Sequence, residues 1–189
     1  ENELVEDLKE IGVESVLFKS KSYSLPYFRN ILTSDMKRDL PKYISAHGNK
    51  NLSVKNVKDI VSYNNRDTFL LAPYDQILFK EIVSDSISNT RLREMKEETK
   101  SRADNYLNII MKENDFDVFV SVDNDMAGIA AAAHYPALTI PMGYRDNGQP
   151  TNITFITRSN NEQLLYNLGF HYEKASMNRE IPDIYKKVP

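Results

Sequence analysis

The sequence predicts an α/β protein in which a helical first half packs on a mixed β-sheet portion. Two observations carry that expectation. Between Tyr27 and Lys112, apolar residues recur every three or four positions, the period of a helix with one buried face. After Asp115, three short runs rich in β-branched residues (Asp117–Val122, Ala137–Ile140 and Asn152–Thr157) alternate with helical stretches, which suits buried strands. The organisation expected is a single domain over residues 1–189, mostly helical over 1–115 and strand/helix alternating over 116–189.

Each element has its own signal. Glu3–Ile11 carries Leu4, Leu8 and Ile11 at helical spacing, and Gly12 separates it from the strand-like Val13-Glu14-Ser15-Val16-Leu17-Phe18. A strand needs others to pair with, so a helix–Gly–strand opening suggests a piece of something larger. Tyr27–Ala46 reads as a helix with Phe28, Leu32, Met36 and Leu40 on one face. Pro41 should kink it or start a second helix, and Gly48 should end it. Ser53 is the expected cap of a helix carrying Val54, Val57 and Ile60, closed by Asn64 and Asn65. Leu70–Tyr74 reads as a connector and Asp75–Ser88 as a helix. Thr90–Lys112 presents Leu92, Met95, Thr99, Ala103, Tyr106 and Ile110 as one stripe. Its Arg93/Glu97 and Glu98/Arg102 pairs form a solvated face, each worth about 0.2–0.5 kcal/mol. Met126–Ala133 is a helix of small residues that can lie close to neighbouring backbone. Asn147-Gly148 marks a hairpin turn, and Asn161–Met177 closes the chain with Leu165, Leu168, Tyr172 and Ala175 inward.

The composition excludes several functions. A net charge of -3 with a pI of about 5.7 is not the basic footprint of a nucleic-acid binder. No apolar run is long enough to span a bilayer. The N-terminal ENELVEDLKE is acidic and polar, the opposite of a secretory signal. Without such a signal, the sequons at Asn51 and Asn152 are read as chance. Cysteine is absent, which removes disulfides and thiolate metal sites. The expectation is a cytoplasmic protein with no cofactor, no metal, and neither a nucleic-acid nor a membrane partner.

Three short motifs invite chemistry and fail on inspection. Asp123-Asn124-Asp125-Met126-Ala127-Gly128 begins like a calcium loop. Its fifth position is Ala127, without an oxygen ligand, and its twelfth is His134 where a bidentate Glu is required. The plainer reading is a polar strand-to-helix loop in which Asp123 or Asp125 caps the helix. Ser34-Asp35-Met36-Lys37 places a hydroxyl and an amine one turn apart, but the partner segments of an S-x-x-K site do not occur. His47, His134 and His171 are scattered without ligand spacing.

The stretch Asp117–Thr157 carries the most specific information. An apolar strand, a small-residue helix, Tyr135-Pro136, a second apolar run into Pro141-Met142-Gly143, a turn and a third strand follow in order. That order resembles the C-terminal part of the amidase signature family, serine hydrolases that cut carbon–nitrogen bonds. The likeness extends along nearly the whole chain. It includes Leu8–Phe18, Leu52–Ile60 with Tyr63-Asn64-Asn65, Pro73-Tyr74-Asp75-Gln76, and the closing helix through Tyr172–Ala175 and Arg179–Pro182. Asp75, His134 and Asn152 stand at or near positions where the family commonly has Gly. His and Asn tolerate the left-handed region better than β-branched residues do.

The resemblance implies an amidase signature fold and a Ser/Ser/Lys centre embedded in a glycine- and serine-rich signature. Such a centre needs glycine-lined backbone donors and a base. This chain has six isolated glycines and no adjacent serines, and the family's signature lies upstream of the matching portion. The resemblance therefore implies the C-terminal portion of a carboxamide-cleaving hydrolase with no catalytic residue of its own. Its partners would be the N-terminal half of the parent chain, a small amide substrate of the parent and, possible on this basis, a second copy of itself. By position, Asn124, Asp125, Met126, Gly128 and Ile129 would form part of the substrate-pocket wall, against the plainer role of capping and packing α-helix ends. An alternative is a free-standing, non-catalytic α/β module that binds a small ligand or partner protein. A complete enzyme built from scattered Asp, His and Ser finds no supporting spacing.

Overall fold

The computed structural model describes residues 2–18, 22–182 and 185. The elements run α1 (Asn2–Glu10), α2 (Phe28–His47), α3 (Val57–Asn64), α4 (Thr68–Leu71), α5 (Ile77–Ser84), α6 (Asn89–Glu113), β1 (Val118–Val122), α7 (Ala127–Ala133), β2 (Ala137–Tyr144), β3 (Pro150–Thr157) and α8 (Glu162–Ser176). The α/β class stands, and the strands of the second half pair only antiparallel where a mixed sheet was expected. The chain divides into two compact units, Glu1–Ser24 with Lys100–Pro189, and Leu25–Thr99.

In the first unit the sheet order is β1-β3-β2. The register sets Val120 opposite Phe155 and Val122 opposite Ile153. On the other side of β3, Leu138 faces Phe155 and Ile140 faces Ile153. These residues lie on one face, since side chains alternate along a strand. That face packs with Leu8 of α1 and with Leu165 and Tyr172 of α8 into one core. The α8 helix lies close because residue 169 is glycine. A Cβ there would sit 2.5 Å from Leu138 Cδ2 and 2.7 Å from Ile140 Cδ1. The opposite face carries Phe119 and Ile156, then the hydroxyl row Ser121, Thr154 and Thr139.

The expected strand Val13–Phe18 does not form. The α1 helix ends where Gly12 turns left-handed at φ 80°, with Gly12 N–H bonded to Lys9 O and Val13 N–H to Leu8 O. This is the paired C-terminal bond pattern that glycine makes accessible. From Val13 to Phe18 the chain runs without secondary structure, with Val16 and Leu17 each 72% exposed. A strand exists only when another backbone completes its hydrogen bonds, and none of the described residues does so here.

The second unit is helical, with α5 packed against α2 and α3. Pro41 sits inside α2 without ending it; the helix forgoes one bond and continues to Gly48, whose N–H reaches Ile44 O at 2.8 Å. The cap of α3 is Asn56, not Ser53. Asn56 and Asp59 bond reciprocally to each other's backbone N–H, a capping box that outcompetes a lone serine upstream. Leu70 and Leu71 belong to a short helix capped by Asp67. The α5 helix is shorter than expected at both ends. Asp75 takes φ 73° and accepts the Gln76 N–H, so the helix starts only at Ile77. The predicted apolar face of α2 is only partly covered: Phe28 and Leu40 are half-buried and Leu32 and Met36 exposed, while the buried residues are Thr33 and Ser34. Periodicity identifies an apolar face but not whether anything covers it.

Candidate functional site: the turn between β1 and α7

Four residues, 123–126, turn the chain from β1 into α7. Asp123 anchors them. It adopts φ 54°, a conformation short polar residues tolerate. Its N–H donates to Asn152 O at 2.7 Å, and its Oδ1 accepts the Asn152 N–H at 3.1 Å. Its carbonyl accepts the Thr154 hydroxyl at 2.6 Å. The remaining carboxylate oxygen, Oδ2, meets the Arg145 guanidinium at 2.6 Å. One residue thus ties the turn to β3 and to the β2–β3 hairpin. The expectation that Asp123 or Asp125 caps α7 is corrected: Met126 holds the cap position and no side chain bonds there. Asn152, expected near a left-handed position, is instead an extended β3 residue paired with Pro141.

The tip of the turn is held from the other side. The Tyr23 hydroxyl donates to the Asp125 carbonyl at 3.1 Å, and its ring lies 5.3 Å from that of Tyr106. Burial, then the neighbouring Tyr106 and Asp125, raise the Tyr23 pKa above its ordinary value. Tyr135, just after α7, is raised likewise, by burial first and then by its hydrogen bond to Asp104.

The five residues expected at a pocket wall separate into two groups. Asn124 and Asp125 are exposed on the turn. Met126 and Ile129 are buried, Ile129 completely, and Gly128 is intermediate. The turn therefore offers two polar side chains and a backbone tip to solvent, over an apolar base. Sequence reasoning missed Asp123 as the anchor, Arg145 as its counter-ion and Tyr23 as the latch. Only the Asn147-Gly148 hairpin signal hinted that Arg145 would be folded back towards the turn.

The other motifs resolve simply. The Lys37 amine donates to the carbonyls of Val83 at 2.9 Å and Asp85 at 2.6 Å, neutralising the C-terminal end of α5. Ser34 is buried and its Oγ meets no partner among the described residues. Hydroxyl and amine are not paired, so no nucleophile–base couple exists there. His47 and His171 are exposed, as is His134. His134 closes α7 in the left-handed region at φ 60°, ψ 37°, the role expected of a residue standing where glycine is usual. Gln76 is buried and bridges the end of α3, accepting from Asn64 Nδ2 at 3.2 Å and donating to Asn65 Oδ1 at 2.7 Å. This accounts for the pairing of the Tyr63-Asn64-Asn65 and Tyr74-Asp75-Gln76 segments. The second unit also holds a hollow of about 510 Å³ lined by Pro41, Ile44, Lys50 and Asn56. It is open and carries no convergent acid–base groups. Among the described residues, no helix is long and apolar enough to cross a membrane.

Comparison with known proteins gives this geometry a context. No family model matches the chain. A probable amidase of Arabidopsis thaliana is 24% identical over 131 residues, covering 68% of this chain and 26% of its own length. The crystal structure of an amidase family protein from Bacillus anthracis superposes with a TM-score of 0.83 at 27% identity, over 96% of this chain and 36% of that one. The peptide amidase of Stenotrophomonas maltophilia superposes with a TM-score of 0.69 at 20% identity, over 83% of this chain and 34% of that one. The chain thus spans about a quarter to a third of the length of these relatives. In sequence and in fold the chain corresponds to a portion of the amidase family's architecture, and the C-terminal portion of the amidase signature fold fits the extent of the match.

Proposed function

We propose that the chain is the C-terminal portion of an amidase-signature hydrolase that cleaves carboxamide C–N bonds through a Ser/Ser/Lys centre lying upstream of it. The observation that carries this reading is the likeness over 96% of the chain to a solved amidase family protein of which it spans only 36%. In the parent, a serine hydroxyl adds to the amide carbonyl and its proton passes to the base. The adduct then breaks the C–N bond as that proton moves to the leaving nitrogen, and water hydrolyses the acyl-serine. None of those groups belongs to this chain. Its contribution is part of the core and one wall of the substrate pocket, with Asn124 and Asp125 facing the amide and Met126, Gly128 and Ile129 backing them. The parent works in the cytoplasm, without metal or cofactor, on a small-molecule amide.

A chimera tests this. This chain replaces the matched 36% of the Bacillus anthracis protein, and hydrolysis of simple carboxamides is measured beside the unmodified protein. A folded chimera that turns over an amide is expected. Replacing Asn124 and Asp125 together by Ala in it should raise KM by about 10-fold at unchanged stability. A folded but inert chimera beside an active unmodified protein would refute the proposed function, and an unchanged KM would remove the two residues from the pocket wall.

A further inference from the structure

We propose that Asn147 is a site of self-modification, an asparagine that cyclises onto Gly148 and ends as an aspartyl or isoaspartyl residue, and that this change releases Arg145 from Asp123. The inference concerns this chain alone and does not depend on the function proposed above.

Three observations select Asn147. It stands in the one Asn-Gly pair of the sequence. Every other asparagine is followed by a residue whose side chain crowds the next backbone nitrogen, whereas Gly148 has no Cβ and turns left-handed at φ 79°. Residues 144–150 are all exposed, so water reaches the reacting groups. Finally, the Gln149 N–H donates to Asn147 Oδ1 at 3.0 Å. That bond folds the side-chain amide back along the chain and polarises its carbonyl. The same N–H is placed to hold the negative charge that attack at Cγ puts on Oδ1. The Gly148 N–H itself donates to Arg145 O at 2.8 Å. Attack therefore waits for this single turn bond to open, a local event in an exposed hairpin.

The steps balance with water as the co-reactant. Gly148 N gives its proton to solvent and bonds to Asn147 Cγ. The Cγ–Nδ2 bond then breaks, and Nδ2 takes a proton and leaves as ammonia, which closes a cyclic imide. Water adding at Cγ breaks the new bond to Gly148 N and leaves an aspartate. Water adding at the Asn147 main-chain carbonyl breaks the original peptide bond instead and leaves an isoaspartate, with the backbone routed through the side chain.

The place of the turn gives this change a consequence. Arg145 opens it, with its N–H bonded to Gln149 O at 2.9 Å and its guanidinium on Asp123 Oδ2 at 2.6 Å. An isoaspartyl link inserts the side-chain methylene into the ring that the turn bonds close, and the ring no longer fits both. The new carboxylate also competes for the Arg145 guanidinium. Asp123 is then tied only to Asn152 and Thr154, and the β1–α7 turn loosens.

Ageing the purified chain at mildly alkaline pH, followed by peptide mapping with an isoaspartyl assay, tests the first part. Asn147 should convert at least about 10-fold faster than any other asparagine, and Asn147→Gln should remove the isoaspartyl signal from this peptide. Amide hydrogen exchange on fresh and aged chain tests the second part. The Asp123 and Asn152 amides should exchange about 10-fold faster after ageing. In Arg145→Ala, whose ion pair is already gone, ageing should leave those two amides unchanged. Faster conversion at another asparagine would overturn the inference. So would a converted Asn147 in a chain whose Asp123 and Asn152 amides exchange as they do in the fresh one.

Discussion

Two helices of the first unit end in the same backbone pattern with different residues. Gly12 closes α1 and His134 closes α7, each left-handed, each followed by a residue whose N–H reaches five positions back. Glycine holds that conformation freely, whereas an L-residue bears about 1–2 kcal/mol there. His134→Gly should therefore raise stability by about 1 kcal/mol in urea unfolding, once the added freedom of the unfolded chain is subtracted. His134→Val should lower it by a similar amount. Asp123 is the other decisive residue. Asp123→Ala removes the acceptor of both Arg145 and the Asn152 N–H, and a loss of about 1–3 kcal/mol is expected. Tyr23 makes the turn sensitive to alkali. Its pKa is raised in the fold above the ordinary 10.0, so its contribution is complete below that value and is lost as pH rises through the higher folded value. Titration of tyrosinate absorbance should show late-ionising tyrosines, Tyr23 and Tyr135, and one fewer of them in Tyr23→Phe.

Among the elements, α8 owes its place to Gly169. Alanine would gain about 1 kcal/mol of helix propensity but press its Cβ into Leu138 and Ile140, at a cost of about 1–3 kcal/mol. Net destabilisation is expected for Gly169→Ala, measurable as a lower urea midpoint at unchanged slope. The positions of most elements were legible in the sequence, because α6, α8 and the three strands of the sheet carry strong periodicity and clear punctuation. The closing role of His134 was legible too, through the Tyr-Pro that follows it. What the sequence concealed were interactions between distant segments. Ser53 looked like the cap of α3 because Asn56 and Asp59 act as a pair whose register local reading misjudged. Asp123 looked like a helix cap because its partners Arg145 and Asn152 lie more than twenty residues away. Val13–Phe18 looked like a strand because propensity describes what a segment can become, and pairing decides whether it does.

Taken whole, the molecule carries more uncovered apolar surface than its cores explain. Phe69, Leu70, Tyr74 and Ile77 are largely exposed in the second unit, as is Leu32 on α2. Val16 and Leu17 add to them in the first. Exposed apolar surface, where it gathers into a patch, marks a surface that meets another body. The purified chain should bind a hydrophobic dye and associate with rising concentration in sedimentation, and a monodisperse, dye-silent monomer would contradict that. The central claim is that the reactive serine and its base lie outside these 189 residues. The most direct measurement is turnover of a simple carboxamide by the purified chain alone: none above the uncatalysed rate is predicted, and reproducible hydrolysis that co-purifies with the chain would contradict the claim.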